Sequence, residues 1–506
     1  MATLSVAAIL AENARRRPDK EALVEGDLRL TFAEVWQRAR ARAGALTGLG
    51  VRPGDRVALM APNTADFPQA YYAIAATGGV VVPVHLLLSP AEVGHVLRDS
   101  GATLLLCHPA QAETAAAAAR ETGVRMITLG DEFDKLAADA DPLPSYVTRD
   151  ADDPAVVFYT SGTTGVPKGA VLSHFNLVMN ATVNAFDAND IRPDDVALGA
   201  LPLFHAFGQT VSLNSTWRAG ATLVLLPRFD AARAIELMVK EKVNTFHGVP
   251  TMFVALAAAA ADADALPELR VCVSGGASLP VAVLERFEEA FGAKIYEGYG
   301  LSETSPAAAV NQPVFGARPG TIGHPLWGVD VEIARAEVEE RVELLPPGEL
   351  GEVVVRGHNV FSGYLGRPEA TAEALVDGWF RTGDLGTKDN EGFLRIVDRK
   401  KDVIIRGGYN VYPREVEEVL VRHPGIAQVA VIGLPDELHG EEVCAVVVPA
   451  ADSAPDAAAI TEWSQQYLGR YKYPRRVEFA DELPLGPSMK VLKRELRVRY
   501  AARPGA

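Results

Sequence analysis

The sequence predicts an α/β protein: a large N-terminal domain of stacked mixed and parallel sheets with helices plus a small β-barrel, then a small α+β C-terminal domain. Three observations predict it. Apolar runs alternate with helical segments as far as Glu297, the pattern of a parallel sheet with crossovers. From Asp330 to about Val397 the runs shorten and are punctuated by Gly and Pro, as in a small barrel. After Asp398 the charged run Arg399-Lys400-Lys401-Asp402 reads as a hinge, giving domains 1–398 and 399–506.

In chain order, Ser5 to Arg17 reads as an amphipathic helix, and Glu21–Val24 with Leu28–Thr31 as a hairpin across Gly26-Asp27. Thr31 and Glu34 form a capping box opening a helix to about Leu49. Strands are expected at Arg56–Met60, Val80–Val84 and Ala102–Cys107, with helices at Ala70–Ala76 and Pro90–Ser100. Alternation resumes with strands at Ala221–Leu226, Val243–His247, Val271–Ser274 and Ile295–Glu297, and helices at Ala231–Lys240 and Val281–Ala290. The alanine-rich Ala255 to Ala265 favours helix. Past the hinge, a helix from Pro413 to His423, strands at Ala427–Ile432 and Val443–Val448, and a helix at Ala457–Leu468 complete the pattern. No period of 20–50 residues repeats.

The chain has 506 residues, a net charge of −16 and a pI near 5.2, which argues against a general nucleic-acid binder. Positive charge concentrates in 470–506, with ten Lys/Arg against four Asp/Glu. Cys107, Cys272 and Cys444 lie far apart in apolar runs, as buried thiols do. The apolar run Leu4–Leu10 is too short for a signal peptide and no stretch of about 20 apolar residues occurs, so the expectation is a cytoplasmic protein.

The chemistry begins at Phe158-Tyr159-Thr160-Ser161-Gly162-Thr163-Thr164-Gly165-Val166-Pro167-Lys168-Gly169. An apolar run, Ala155 to Phe158, breaks into glycine- and hydroxyl-rich turns closed by a lysine, a composition that can cradle phosphate oxygens. It is not a Walker A loop: Pro167 stands where the second glycine belongs, and Gly169 where Ser/Thr belongs. Ser274-Gly275-Gly276-Ala277-Ser278 follows a buried strand and suits backbone contact with a flat ligand. Tyr296-Glu297-Gly298-Tyr299-Gly300-Leu301-Ser302-Glu303 offers an aromatic face, two glycines and a carboxylate fit for magnesium. Trp379-Phe380-Arg381-Thr382-Gly383-Asp384 places a carboxylate in a turn, able to bind both hydroxyls of a ribose. An isolated glycine turn is usually structural; the order of all these stretches together is what carries weight.

In that order and spacing, from Thr31-Phe32 to Leu492-Lys493-Arg494-Glu495-Leu496, the chain resembles the adenylate-forming superfamily of acyl-CoA synthetases, adenylation domains and luciferases, nearest in appearance to bacterial fatty-acid or 4-coumarate-type CoA ligases. The resemblance implies a mobile C-terminal domain and two half-reactions: a carboxylate and MgATP give acyl-AMP and pyrophosphate, then the CoA thiol takes the acyl group. It implies that the 160–168 loop, with Thr160, Ser161, Gly162, Thr163, Thr164, Gly165 and Lys168, holds the β and γ phosphates. Gly276, Ala277, Ser278, Glu297, Gly298, Tyr299 and Gly300 would surround adenine, with Tyr299 stacking, and Ser302 would touch the AMP phosphate. Thr160 and Glu303 would bind Mg2+, Asp384 and Arg399 the ribose, and Lys490 would be the catalytic lysine between carboxylate and α-phosphate. His205, otherwise an ordinary packed histidine, would stand beside the substrate carboxyl. Lys401 would mark the hinge, whose rotation replaces Lys490 by the Gly407-Gly408 turn lining the CoA tunnel. One departure is Ser488-Met489-Lys490, where the family commonly reads Thr-Gly-Lys; methionine resists backbone shapes that glycine allows.

The implied acyl pocket, Phe207, His247, Val249, Met252, Ala277 and Leu301, is apolar and carries no arginine for a second carboxylate, which argues against diacids. It fits a medium- or long-chain fatty acid, favoured here, or an aryl acid of cinnamate type. An amine, a carrier protein or an inorganic acid in place of CoA as the acceptor is the further alternative, and a homodimer is left open.

Overall fold

The computed structural model describes residues 2–161, 167–450, 453–485 and 491–501. They pack as two compact units, one of 1–331 with 355–380 and one of 332–354 with 381–506. The short segments 332–354 and 381–398 thus pack with the C-terminal chain.

Local signals in the sequence become structure with small shifts. The helix Phe32–Gly48 opens on the expected box, Thr31 N donating to Glu34 Oε2 (2.8 Å) and Glu34 N to Thr31 Oγ1 (3.2 Å). The strands Glu21–Glu25 and Leu28–Thr31 pair antiparallel across Gly26, whose φ is +59°. The helix expected from Ala70 starts earlier, at Asp66, because Pro68 is tolerated in a first turn. All three cysteines are buried and free. Among the described residues no helix is long and apolar enough to cross a membrane.

Two sheets organise the first unit. One has seven strands in the order Gly363–Tyr364, Pro167–Ser173, Pro154–Ser161, Val80–Pro83, Arg56–Met60, Leu104–Cys107, Arg125–Thr128. The five strands from Pro154–Ser161 to Arg125–Thr128 run parallel, and Val80–Pro83 and Leu104–Cys107 are buried throughout, which is why they read as unbroken apolar runs. The other has nine, in the order His324–Pro325, Ala307–Val310, Ile295–Gly300, Val271–Ser274, Thr245–Gly248, Val196–Gly199, Thr222–Leu225, Glu21–Glu25, Leu28–Thr31. Phe246, Phe253, Phe287 and Cys272 belong to the core cluster of this sheet, with the helices Pro250–Ala259 and Val281–Phe291 contributing.

The structure extends the strand expected at Ala155–Phe158 to Ser161 and returns it antiparallel as Pro167–Ser173, with Thr160 opposite Lys168. Cross-strand pairing carries the polar residues into the ladder, so Lys168 closes a hairpin and sits on a strand. In the second unit, the long hairpin Ile426–Asp436 and Gly440–Pro449 carries the core, and the Pro413–Leu420 helix packs onto it through Val416 and Leu420.

Candidate active site

Glu303 stands at the end of the Ile295–Gly300 strand, in the one-turn helix Ser302–Thr304. The turn is built on close backbone approach. A Cβ on Gly300 would lie 1.8 Å from Pro306 O, and Thr304 Oγ1 bridges by accepting from Leu301 N (2.8 Å) and donating to Pro306 O. Phe361 N donates to Glu303 O (2.9 Å). The Glu303 side chain is buried, and its Oε1 accepts from Tyr364 OH (2.9 Å) and, at longer range, from Thr160 Oγ1 (3.4 Å). Lys168 Nζ lies 5.3 Å over the Tyr364 ring. The structure therefore gathers Thr160, Lys168 and Glu303, predicted from two distant stretches, around a tyrosine the sequence reading missed. Gly363-Tyr364 offered one signal: a Gly-Tyr pair ahead of Pro368, forming a two-residue strand on the edge of Pro167–Ser173. A buried carboxylate whose partners among the described residues are two hydroxyls, both on one oxygen, is a donor set that fits a hard cation such as Mg2+.

Beside it, Gly276 has φ +83°, a shape glycine adopts without strain. A Cβ on Gly275 would meet the Phe207 ring at 3.1 Å, so that ring lies against the loop. Glu297 is buried and its Oε1 accepts from Leu279 N (3.1 Å), bracing the loop that ends at Ser278. Gly298 and Tyr299 pair with Val310 and Ala309 on the next strand, and Tyr299 and Ser302 remain half-buried.

The predicted pocket residues divide by burial. Phe207, Val249 and Leu301 are half-buried and Ala277 is exposed, whereas Met252 and His247 are sealed. Phe207 begins a wide helical segment, Phe207–Asn214, made possible by Gly208, whose missing Cβ would fall 2.2 Å from Pro202 O. His247 is fully buried and neither ring nitrogen has a hydrogen-bond partner among the described residues; burial pushes it down to about 4, so it is neutral at pH 7. His205 is half-buried, with Nδ1 accepting from Phe207 N (3.3 Å).

In the second unit Asp384 is buried in the turn and its Oδ1 lies 3.2 Å from Arg399 Nε. Their strands pair Asp384 opposite Arg399. Beneath the turn is a buried ion pair that the sequence reading missed: Arg381 Nη2 to Glu352 Oε2 at 2.6 Å. Glu352 Oε1 also accepts from Gly383 N (3.0 Å), and Thr382 Oγ1 accepts from Asp384 N (3.0 Å) while donating to Val353 O (2.7 Å). Lys401, in the short turn Lys400–Asp402, is held below its ordinary value by partial desolvation and by Arg399. Gly407 and Gly408 are exposed with φ +56° and +83°. Gly162, Thr163, Thr164, Gly165 and Lys490 lie outside the described residues, as does the side chain of Ser161.

The sequence matches the family model of the AMP-binding enzyme over residues 10–365 and that of the AMP-binding enzyme C-terminal domain over 415–490. The chain belongs to the AMP-binding enzyme family. It is 42% identical to a feruloyl-CoA synthase from Amycolatopsis sp over 489 residues, covering 96% of this chain and 97% of that one. It is 36% identical to a long-chain-fatty-acid–CoA ligase from Bacillus subtilis, covering 96% and 93%. The crystal structure of ATP-bound MatB from Rhodopseudomonas palustris superposes with a TM-score of 0.90 at 33% identity, covering 98% and 99%.

As a member of this family the protein is an AMP-forming CoA ligase that works through an adenylate, with ATP, Mg2+ and CoA as its cofactor and co-substrates. The α/β fold with a large N-terminal and a small C-terminal domain agrees with the sequence expectation.

Proposed function

We propose that this AMP-binding enzyme activates a compact aromatic acid of hydroxycinnamate type and passes it to CoA. The observation that carries this reading is the burial of two of the predicted pocket residues. Phe207, Val249 and Leu301 are half-buried, whereas His247 and Met252 are buried, and we read the buried pair as the floor of the acyl pocket. A shallow pocket walled by an aromatic ring favours a flat acid over the fatty acid that composition alone favoured. The 42% identity to a feruloyl-CoA synthase supports the same side, against 36% for a fatty-acid ligase.

In this reading Thr160, Lys168 and the hydroxyl-rich loop hold the outer phosphates, and Glu303 holds Mg2+, which when bound spreads the phosphate charge. Phe207 and Val249 orient the ring of the acid so that its carboxylate meets the α-phosphate. Lys490, by the family resemblance, would supply the positive charge that lowers the repulsion of these two anions as the new bond forms. Asp384 and Arg399 hold the ribose, and the Gly407-Gly408 turn admits pantetheine.

The test is a panel of ferulate, 4-coumarate, cinnamate, octanoate and palmitate, scored by AMP release with and without CoA. The expected result is a kcat/KM for the cinnamates at least about tenfold above that for palmitate, with turnover requiring CoA. Preference for palmitate overturns the substrate; sustained AMP release without CoA points to another acceptor.

A further inference from the structure

Tyr364 belongs to no stretch singled out for chemistry, yet it touches two functional groups at once. Its hydroxyl donates to Glu303 Oε1 at 2.9 Å, the shorter of the two hydrogen bonds on that oxygen, and Lys168 Nζ lies 5.3 Å over its ring. A phenol is protonated at neutral pH and an ionised carboxylate only accepts, so the Tyr364 hydroxyl is the donor in this contact. The ring itself is fixed. Tyr364 N donates to Thr371 Oγ1 (2.9 Å), Phe361 packs edge-on at 4.8 Å, and Gly363 leaves space that Thr371 fills, a Cβ there falling 2.6 Å from Thr371 Cγ2. The tyrosine is held by its own surroundings, so it can impose an orientation on what it touches.

We infer that Tyr364 is a positioning residue for nucleotide and metal: its hydroxyl occupies Glu303 Oε1, which would leave Oε2 for a cation, and its ring is the platform that holds the Lys168 ammonium, which would be offered to phosphate. A carboxylate free to rotate would present either oxygen, and ordering it would weaken metal binding; a fixed donor on one oxygen removes that freedom. A cation over an aromatic face is held without a competing carboxylate, so the full charge of Lys168 remains available for phosphate. One tyrosine thus couples a loop charge to a metal ligand 135 residues away in sequence. The inference rests on Glu303 being the Mg2+ ligand.

The experiment separates the two claims. Mn2+ is titrated into the full-length enzyme saturated with a non-hydrolysable ATP analogue, with free and bound Mn2+ resolved by electron paramagnetic resonance. Analogue affinity is measured separately by calorimetry without metal. Tyr364→Phe, which keeps the ring, is expected to weaken Mn2+ about tenfold while metal-free analogue affinity stays unchanged. Tyr364→Leu, which removes the ring as well, is expected to lose analogue affinity too. Glu303→Gln is the control: if it leaves Mn2+ binding intact, the assignment of the metal to Glu303 fails. If Glu303→Gln abolishes Mn2+ binding but Tyr364→Phe stays within twofold of the parent, the positioning role of Tyr364 is overturned. Thermal unfolding of each variant checks folding.

Discussion

The carboxylates Glu303 and Asp384 are both buried, acidic and close to a glycine, but they are held in opposite ways. Glu303 rests on neutral donors, the hydroxyls of Tyr364 and Thr160. Asp384 faces Arg399 at 3.2 Å and sits above the buried Arg381–Glu352 pair. Hydroxyls orient a carboxylate without neutralising it, which leaves its charge for a cation. An arginine satisfies the charge, which leaves a carboxylate oriented as a hydrogen-bond acceptor for hydroxyls such as those of ribose. Support by dipoles thus suits a metal ligand, and support by ions suits a sugar clamp.

The first half-reaction is where this contrast breaks most sharply. Lys490→Ala should lower ATP–pyrophosphate exchange by about a thousandfold, since it removes the positive charge between two anions. Thioester formation from supplied acyl-AMP should persist, and equal loss in both assays would remove Lys490 from its assigned role.

A smaller effect tests the ionic support. Arg381→Leu leaves Glu352 buried with its charge unpaired, a change that typically costs about 3–5 kcal/mol. The loss should appear in urea unfolding and, by hydrogen exchange, in peptides around Gly383 and Asp384, with Mn2+ binding at Glu303 retained. Uniform loosening that includes the Ile295–Gly300 strand would show that the two supports are not independent.

A separate effect comes from acid. In the first unit His174 and His247 are fully buried, and burial holds both near 4 against an ordinary 6.5. The unfolded chain therefore binds more protons than the folded one between those values, so stability is lost as pH falls from about 6.5 toward 4. The loss is on the order of 3 kcal/mol per ring. His423 and His439 of the second unit are half-buried. Hydrogen exchange at pH 7 and pH 5 should show the first unit loosening first; loosening of the second unit alone would contradict this.

Much of the fold was legible because its signals are local. The Thr31–Glu34 box, the hairpin across Gly26 and the apolar strands Val80–Pro83 and Leu104–Cys107 each depend on neighbours within a few residues. The hairpin ladder carrying Thr160 opposite Lys168 was not legible, because period-two polar residues beside glycine read as a turn until a partner strand pairs them. Burial was equally hidden: no local pattern distinguishes His247 and Met252 from the half-buried Phe207 and Val249, and only packing shows that the first two are buried.

By itself, then, the sequence determined the alternation of strands and helices, the order of glycine-rich turns and the acidic and basic residues between them, since residue type and spacing set local backbone preference. Only the tertiary structure decided which groups share an oxygen. Tyr364, Thr160 and Glu303 meet because the Gly363–Tyr364 strand pairs with Pro167–Ser173, which pairs in turn with Pro154–Ser161, and Phe361 N ties this edge to the Glu303 carbonyl. Such meetings depend on long-range strand pairing, whose partners no local pattern names.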